Sequence, residues 1–195
     1  MVSPIKKITT EKMDELILES KFSKNSLSIR IPFAYALNLV VLNWNDVMFG
    51  IDNGYFSYDS AIEFALNEYS NSVNYSQNVL KLAVLSPSEV GQEQIIHQYL
   101  SELSSEIPEK NKDETKEKIM YIILNWLYEH KENYCNPLKV IEIIYDDFDF
   151  PKSIMNLIQY MPSAEINSIN TEQKSDINYY LWSDYLCKQK IKYSF

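Results

Sequence analysis

The sequence predicts an all-α protein, and three observations carry that prediction. Glycine occurs only three times in 195 residues, too seldom for a fold built on hairpin turns, which favour Gly at their left-handed positions. Apolar side chains recur at spacings of three and four, the signature of a helix with one buried stripe. Ser, Thr, Asn or Pro stands at the head of nearly every such segment, where a helix needs a side-chain acceptor or a residue without an N–H. The expected architecture is a single domain over 1–195, of about eight or nine helices packed as antiparallel hairpins. The charged stretch 107–115 is the candidate boundary between two lobes.

Each element has its own warrant. Thr10 is the expected cap of a first helix reaching Ser20, with Met13, Leu16 and Ile17 on one face. Residues 23–28 are polar and read as a loop. Pro32 opens a strongly apolar helix over 33–42. Asn45 is then expected to head a helix over 46–52, with Gly54 ending it in a left-handed conformation. Ser57 caps a helix over 58–69, whose Ala61, Ile62, Ala65, Leu66 and Tyr69 fall at core spacing.

Asn74 or Ser76 starts the next helix, and Pro87 opens one over 88–105 that buries Ile96, Tyr99, Leu100 and Leu103. The clearest helix covers 116–131, with Ile119, Ile122, Ile123, Trp126 and Leu127 inward. Asn136-Pro137 is a cap followed by a first-position proline. Asp149 is expected to cap a short helix from Pro151, with Phe148 and Phe150 anchored in the core. Thr171 begins the last helix, which runs to about residue 190. Leu42-Asn43-Trp44 recurs as Leu124-Asn125-Trp126, as two hairpins built on one plan would show.

Charge narrows the function. The net charge is −9, and residues 41–107 alone hold nine acids against one lysine. Such a balance disfavours nucleic acid or an anionic membrane as partner and favours a basic protein. The plainer reading is an acidic surface that maintains solubility. The N-terminus has no apolar signal core, and the apolar runs 39–42 and 119–124 fall far short of the roughly 20 residues of a membrane span. Cys135 and Cys187 lack paired spacing and read as reduced thiols, so the expected compartment is the cytoplasm.

Site chemistry is sparse. No phosphate loop, dinucleotide fingerprint, zinc spacing or nucleophile elbow is present. The two histidines, His97 and His130, fall on different helices and read as solvated. Asp146, Asp147 and Asp149 place three carboxylates within four residues, which suits a hard cation but lacks the alternation and glycine of a calcium loop. No catalytic residue, metal or cofactor is therefore expected. A small metal-dependent hydrolase using that aspartate cluster with His97 or His130 stands as one alternative, and a non-catalytic helical adaptor as another.

Three segments carry a resemblance. They are Leu42-Asn43-Trp44-Asn45-Asp46-Val47 with Gly50 and Gly54; Leu124-Asn125-Trp126-Leu127-Tyr128-Glu129 leading to Asn136-Pro137-Leu138 and Ile141-Glu142; and Ile144-Tyr145-Asp146-Asp147-Phe148-Asp149-Phe150-Pro151, closing with Tyr160-Met161-Pro162. Together they resemble a bacterial family known as domain of unknown function 2247, whose pattern has Tyr where this chain has Phe150. The resemblance implies an all-α fold and offers no catalytic residues to carry over. It also implies a role, since proteins of this kind often sit beside polymorphic toxins as immunity partners. On that expectation the chain binds a basic toxin domain through Asp59 and Glu63 on one helix and Glu89 and Glu93 on another. Tyr55 and Tyr58, with Tyr69 nearby, are its expected anchors. Asp59 and Glu63 are like charges at i,i+4, a spacing that slightly disfavours the helix carrying them.

Overall fold

Asn43 and Asp46 lock the start of one helix by a reciprocal pair of bonds. The Asn43 side chain accepts from the Asp46 N–H, and the Asp46 carboxylate accepts from the Asn43 N–H. This is a capping box, which satisfies two amides that the helix leaves without partners. It displaces Asn45 from its expected role as cap, because only Asn43 has an acid three residues on. In this computed structural model, which describes residues 7–72, 74–86, 91–107, 112–158 and 171–193, the protein is all-α.

The described residues form nine α-helices: α1 (Thr10–Glu19), α2 (Phe33–Leu39), α3 (Trp44–Asp52), α4 (Asp59–Asn71), α5 (Gln77–Ala83), α6 (Glu93–Ser105), α7 (Lys112–Glu129), α8 (Pro137–Asp147) and α9 (Thr171–Tyr193). Short 3-10 turns follow α7 and α8. Ser76 caps α5 and Asn136 caps α8 ahead of Pro137. Thr9 rather than Thr10 caps α1. No side chain caps α4, although the Ser57 carbonyl accepts from the Ser60 N–H. Pro87, the expected opener of the helix before 107, lies outside the described residues.

The chain divides into two compact units, Arg30–Ile119 and the combination of Met1–Ile29 with Met120–Phe195. The second division falls within α7, a few residues beyond the charged stretch 107–115.

Within Arg30–Ile119 the core is aromatic. Phe33 packs edge-on against Phe56 and Phe64, with ring centroids 5.2 and 6.3 Å apart, and Trp44 meets Phe64 edge-on at 4.7 Å. Such geometry is worth about 1 kcal/mol per pair beyond the area buried. The Trp44 indole N–H donates to Glu68 at 2.9 Å, tying α3 to α4. After α3 the chain doubles back, with the amides of Tyr55 and Phe56 both donating to the Gly50 carbonyl. Only glycine permits this, since a Cβ at residue 50 would run into the Phe56 ring. Gly54 makes the turn at φ 74°, as its position after the helix predicts. The same unit holds a buried ion pair. Lys118 Nζ sits 2.6 Å from Asp46 Oδ2, with the two side chains 8% and 0% exposed.

The other unit buries Met120 to Leu124 and Leu127 of α7, Leu138, Ile141 and Ile144 of α8, and Trp182, Tyr185 and Leu186 of α9. Tyr128 meets Trp182 edge-on at 5.0 Å. The polar stretch 23–28 is a loop as expected, held by buried Asn25, whose side chain both accepts from the Ile29 N–H and donates to its carbonyl. Trp126, expected in the core, is only half-buried and stacks on His130 instead. The repeated tripeptide marks no common plan, because Asn43-Trp44 begins α3 whereas Asn125-Trp126 lies inside α7.

Removing Lys118 leaves the Asp46 carboxylate buried and uncompensated. Lys118→Ala is expected to lower unfolding free energy by about 3 kcal/mol, measured by urea denaturation. A loss no larger than that of an ordinary surface substitution would show that the pair is dispensable.

Candidate protein-interaction surface

Around the C-terminal end of α3 and the start of α6, the unit Arg30–Ile119 gathers acidic and polar groups. Asp52, the last residue of α3, receives His97 of α6 at 3.0 Å between Oδ1 and Nε2. Tyr58, just ahead of α4, is half-buried beside them. Its phenol is held above its ordinary pKa, first by burial and then by the negative charges of Glu93 and Asp52. A phenol that faces two carboxylates stays protonated and remains a hydrogen-bond donor.

The expected partner-binding residues fare unequally. Glu63 and Glu93 are exposed, and Asp59 and Tyr58 are half-buried at the rim. Tyr55 is 0% exposed and anchors nothing outside the fold. Its carbonyl instead accepts from the Ile31 N–H, and the turn over Gly50 carries its ring inward. Glu89 lies outside the described residues. Asp52 and His97 belong to the cluster although charge spacing along single helices did not select them. Their meeting depends on α3 packing against α6, which no local pattern encodes.

The aspartate cluster has structural employment. Asp147 accepts from both the N–H and the hydroxyl of Ser26, at 2.9 and 2.6 Å, which fastens the 23–28 loop to the end of α8. Burial raises its carboxyl above the ordinary range in spite of those two bonds. Asp149 pairs with Lys24 rather than capping the following turn, whose first residue is preceded by Pro151 with no side-chain cap. Asp149 and Phe150 both adopt left-handed backbone, at φ 60° and 58°. This turns Phe150 outward to 59% exposure, while Phe148 alone enters the core. Among the described residues, no three His, Cys, Asp or Glu side chains converge as a metal site, and no helix is long and apolar enough to cross a membrane.

A family model described as an uncharacterized protein conserved in bacteria, domain of unknown function 2247, matches residues 33–190. No curated protein and no solved structure matches the chain.

The geometry fixes a titration. Glu93→Gln removes one of the two charges facing the Tyr58 phenol, so its pKa is expected to fall toward the ordinary value of about 10. NMR titration of ring-labelled tyrosine reads this directly, and an unmoved Tyr58 curve would place Glu93 away from the phenol.

Proposed function

The chain belongs to the bacterial family of domains of unknown function 2247, and from that premise we propose that it is a binding protein of the immunity type. It acts in the cytoplasm, where it neutralises a basic toxin domain by covering that domain's active or substrate-binding site. The toxin partner enters by resemblance to proteins of this kind. The binding chemistry is argued from the residues.

One observation supports the reading above others. The acids of 41–107 outnumber its single lysine nine to one, and Glu93, Asp52 and Tyr58 meet at one edge of their unit. Lys81, that single lysine, is engaged within the fold. Its ammonium donates to Asn78 and lies 5.0 Å from the centroid of the Tyr99 ring. Exposed Asp52, Glu63 and Glu93 give this unit a negative outer surface, which raises the encounter rate with a basic partner and disfavours nucleic acid. Tyr58 supplies an aromatic body with a hydrogen-bonding tip, a combination common among residues that dominate binding energy.

The test is recovery of the partner. The tagged full-length chain, purified from the native bacterium with its neighbouring genes expressed, is expected to bring down one basic protein domain in equimolar amount, identified by mass spectrometry. Recovery of the chain alone under those conditions would overturn the proposal.

A further inference from the structure

Most of the large apolar side chains left exposed on the Arg30–Ile119 unit fall on α4, α5 and α6, with Val41 apart from them. Of the twelve large hydrophobic residues exposed among the described residues, five lie between 66 and 84: Leu66 (44%), Tyr69 (44%), Tyr75 (39%), Leu80 (40%) and Val84 (72%). Leu66 and Tyr69 have core spacing on α4, yet they remain outside, because the buried face of the helix is the one carrying Ala61, Ile62, Phe64 and Ala65. Tyr69 and Tyr75 pack ring on ring at 4.8 Å, joining the end of α4 to the start of α5.

The register of the neighbouring helices extends the strip. Asn78 bonds to Glu102, and Lys81 lies over Tyr99. α5 and α6 therefore run antiparallel, each step of three along one matched by a step of three back along the other. One further helical turn brings Val84 opposite residues 95–96. In that turn of α6 Ile95 is 44% exposed, while Ile96 enters the core. The strip follows α5 for about 10 Å, the rise of its seven residues, which matches two turns of an added helix.

Its electrostatic setting selects the occupant. Asp59 and Glu63 stand on the outer face of α4 beside Leu66, and Glu102 flanks α5 on the other side. Lys81 is turned onto Tyr99. An apolar strip between carboxylates complements a helix whose apolar face is flanked by Lys and Arg. Scattered exposed leucines need no explanation, but a run of exposed apolar residues along neighbouring helices with carboxylates beside it does.

We propose that the α4–α5–α6 surface seats a basic amphipathic helix of a protein partner. Apolar residues of that helix insert along Leu66, Leu80, Val84 and Ile95, and its cations face Asp59 and Glu63. This rests on the reading of the chain as a binder of basic protein and assigns separate work to the two kinds of contact. The carboxylates speed encounter, and the apolar strip slows dissociation.

A peptide probe tests the seat without the natural partner. It is an amphipathic helix of about 18 residues made of Leu and Lys, with its apolar residues on one face, compared with a scrambled isomer of equal charge. Binding to the intact chain is read by fluorescence anisotropy near physiological salt. The amphipathic peptide is expected to bind in equimolar ratio, and the scrambled one about tenfold more weakly. Leu66→Ser with Val84→Ser is expected to weaken the amphipathic peptide by about tenfold while the chain still melts cooperatively at a slightly lower temperature, since neither side chain belongs to the core. Equal binding of the two peptides, or full binding by the double variant, would overturn the apolar seat. If Asp59→Lys with Glu63→Lys then abolishes binding of both peptides equally, charge alone is at work, and the acidic-surface reading stands while the seat falls. Absence of binding by either peptide would also overturn the seat.

Discussion

The unit Arg30–Ile119 hangs on one carboxylate. Asp46 Oδ2 accepts from the Asn43 amide at 2.9 Å and from the Lys118 ammonium at 2.6 Å, with the whole side chain out of water. It therefore fixes where α3 begins and, in the same bond set, where the first turns of α7 lie. Desolvating two charges offsets much of their attraction, so the pair contributes register more than net stability. What it registers is consequential. Trp44 follows the cap directly, so its ring lands on Phe64 and its N–H on Glu68. Asp52 closes the same helix and meets His97 of α6. The acidic edge thus inherits its position from a capping box two turns away.

Much of this was legible in the chain, and the misses have physical causes. Asn136-Pro137 and Ser76 announce their helices because a cap is a local interaction. Asn43-x-x-Asp46 is equally local, and the acid at the third position separates it from Asn45, which has Met48 there. Burial is less legible, because it depends on what another element covers. Leu66 and Tyr69 satisfy the periodicity of a core face, but the face α4 buries is that of Ala61, Ile62, Phe64 and Ala65. Tyr55 follows a polar turn that suggests exposure, yet the chain folds back across Gly50 and takes it inside. Phe148 and Phe150 would share a face in extended chain. Left-handed backbone at Asp149 and Phe150 separates them; aspartate tolerates that region, but nothing in the sequence foretells a bulky phenylalanine there.

The candidate site shows the same division. Net charge and its concentration in 41–107 are properties of the sequence, but they do not say which acids reach the surface: Glu63 and Glu93 do, whereas Asp46 is buried against Lys118. Which acids face one another is a property of packing. Glu93 and Asp52 converge on Tyr58 only because α3 and α6 adjoin, and the strip from Tyr69 to Ile95 exists only because α5 lies between α4 and α6. Exposed acids and exposed apolar side chains occur together on the unit Arg30–Ile119, and among the described residues no three His, Cys, Asp or Glu side chains gather as a metal site.

Association kinetics test that account most directly. The rate at which the chain binds the basic partner proposed for it is to be followed across ionic strength, for the natural sequence and for Asp59→Lys, Glu63→Lys and Glu93→Lys combined. The account predicts fast association that falls steeply with salt for the natural chain, and slower, nearly salt-independent association for the variant. Identical rates and identical salt dependence in the two proteins would contradict it, because the acidic edge would then have no part in binding.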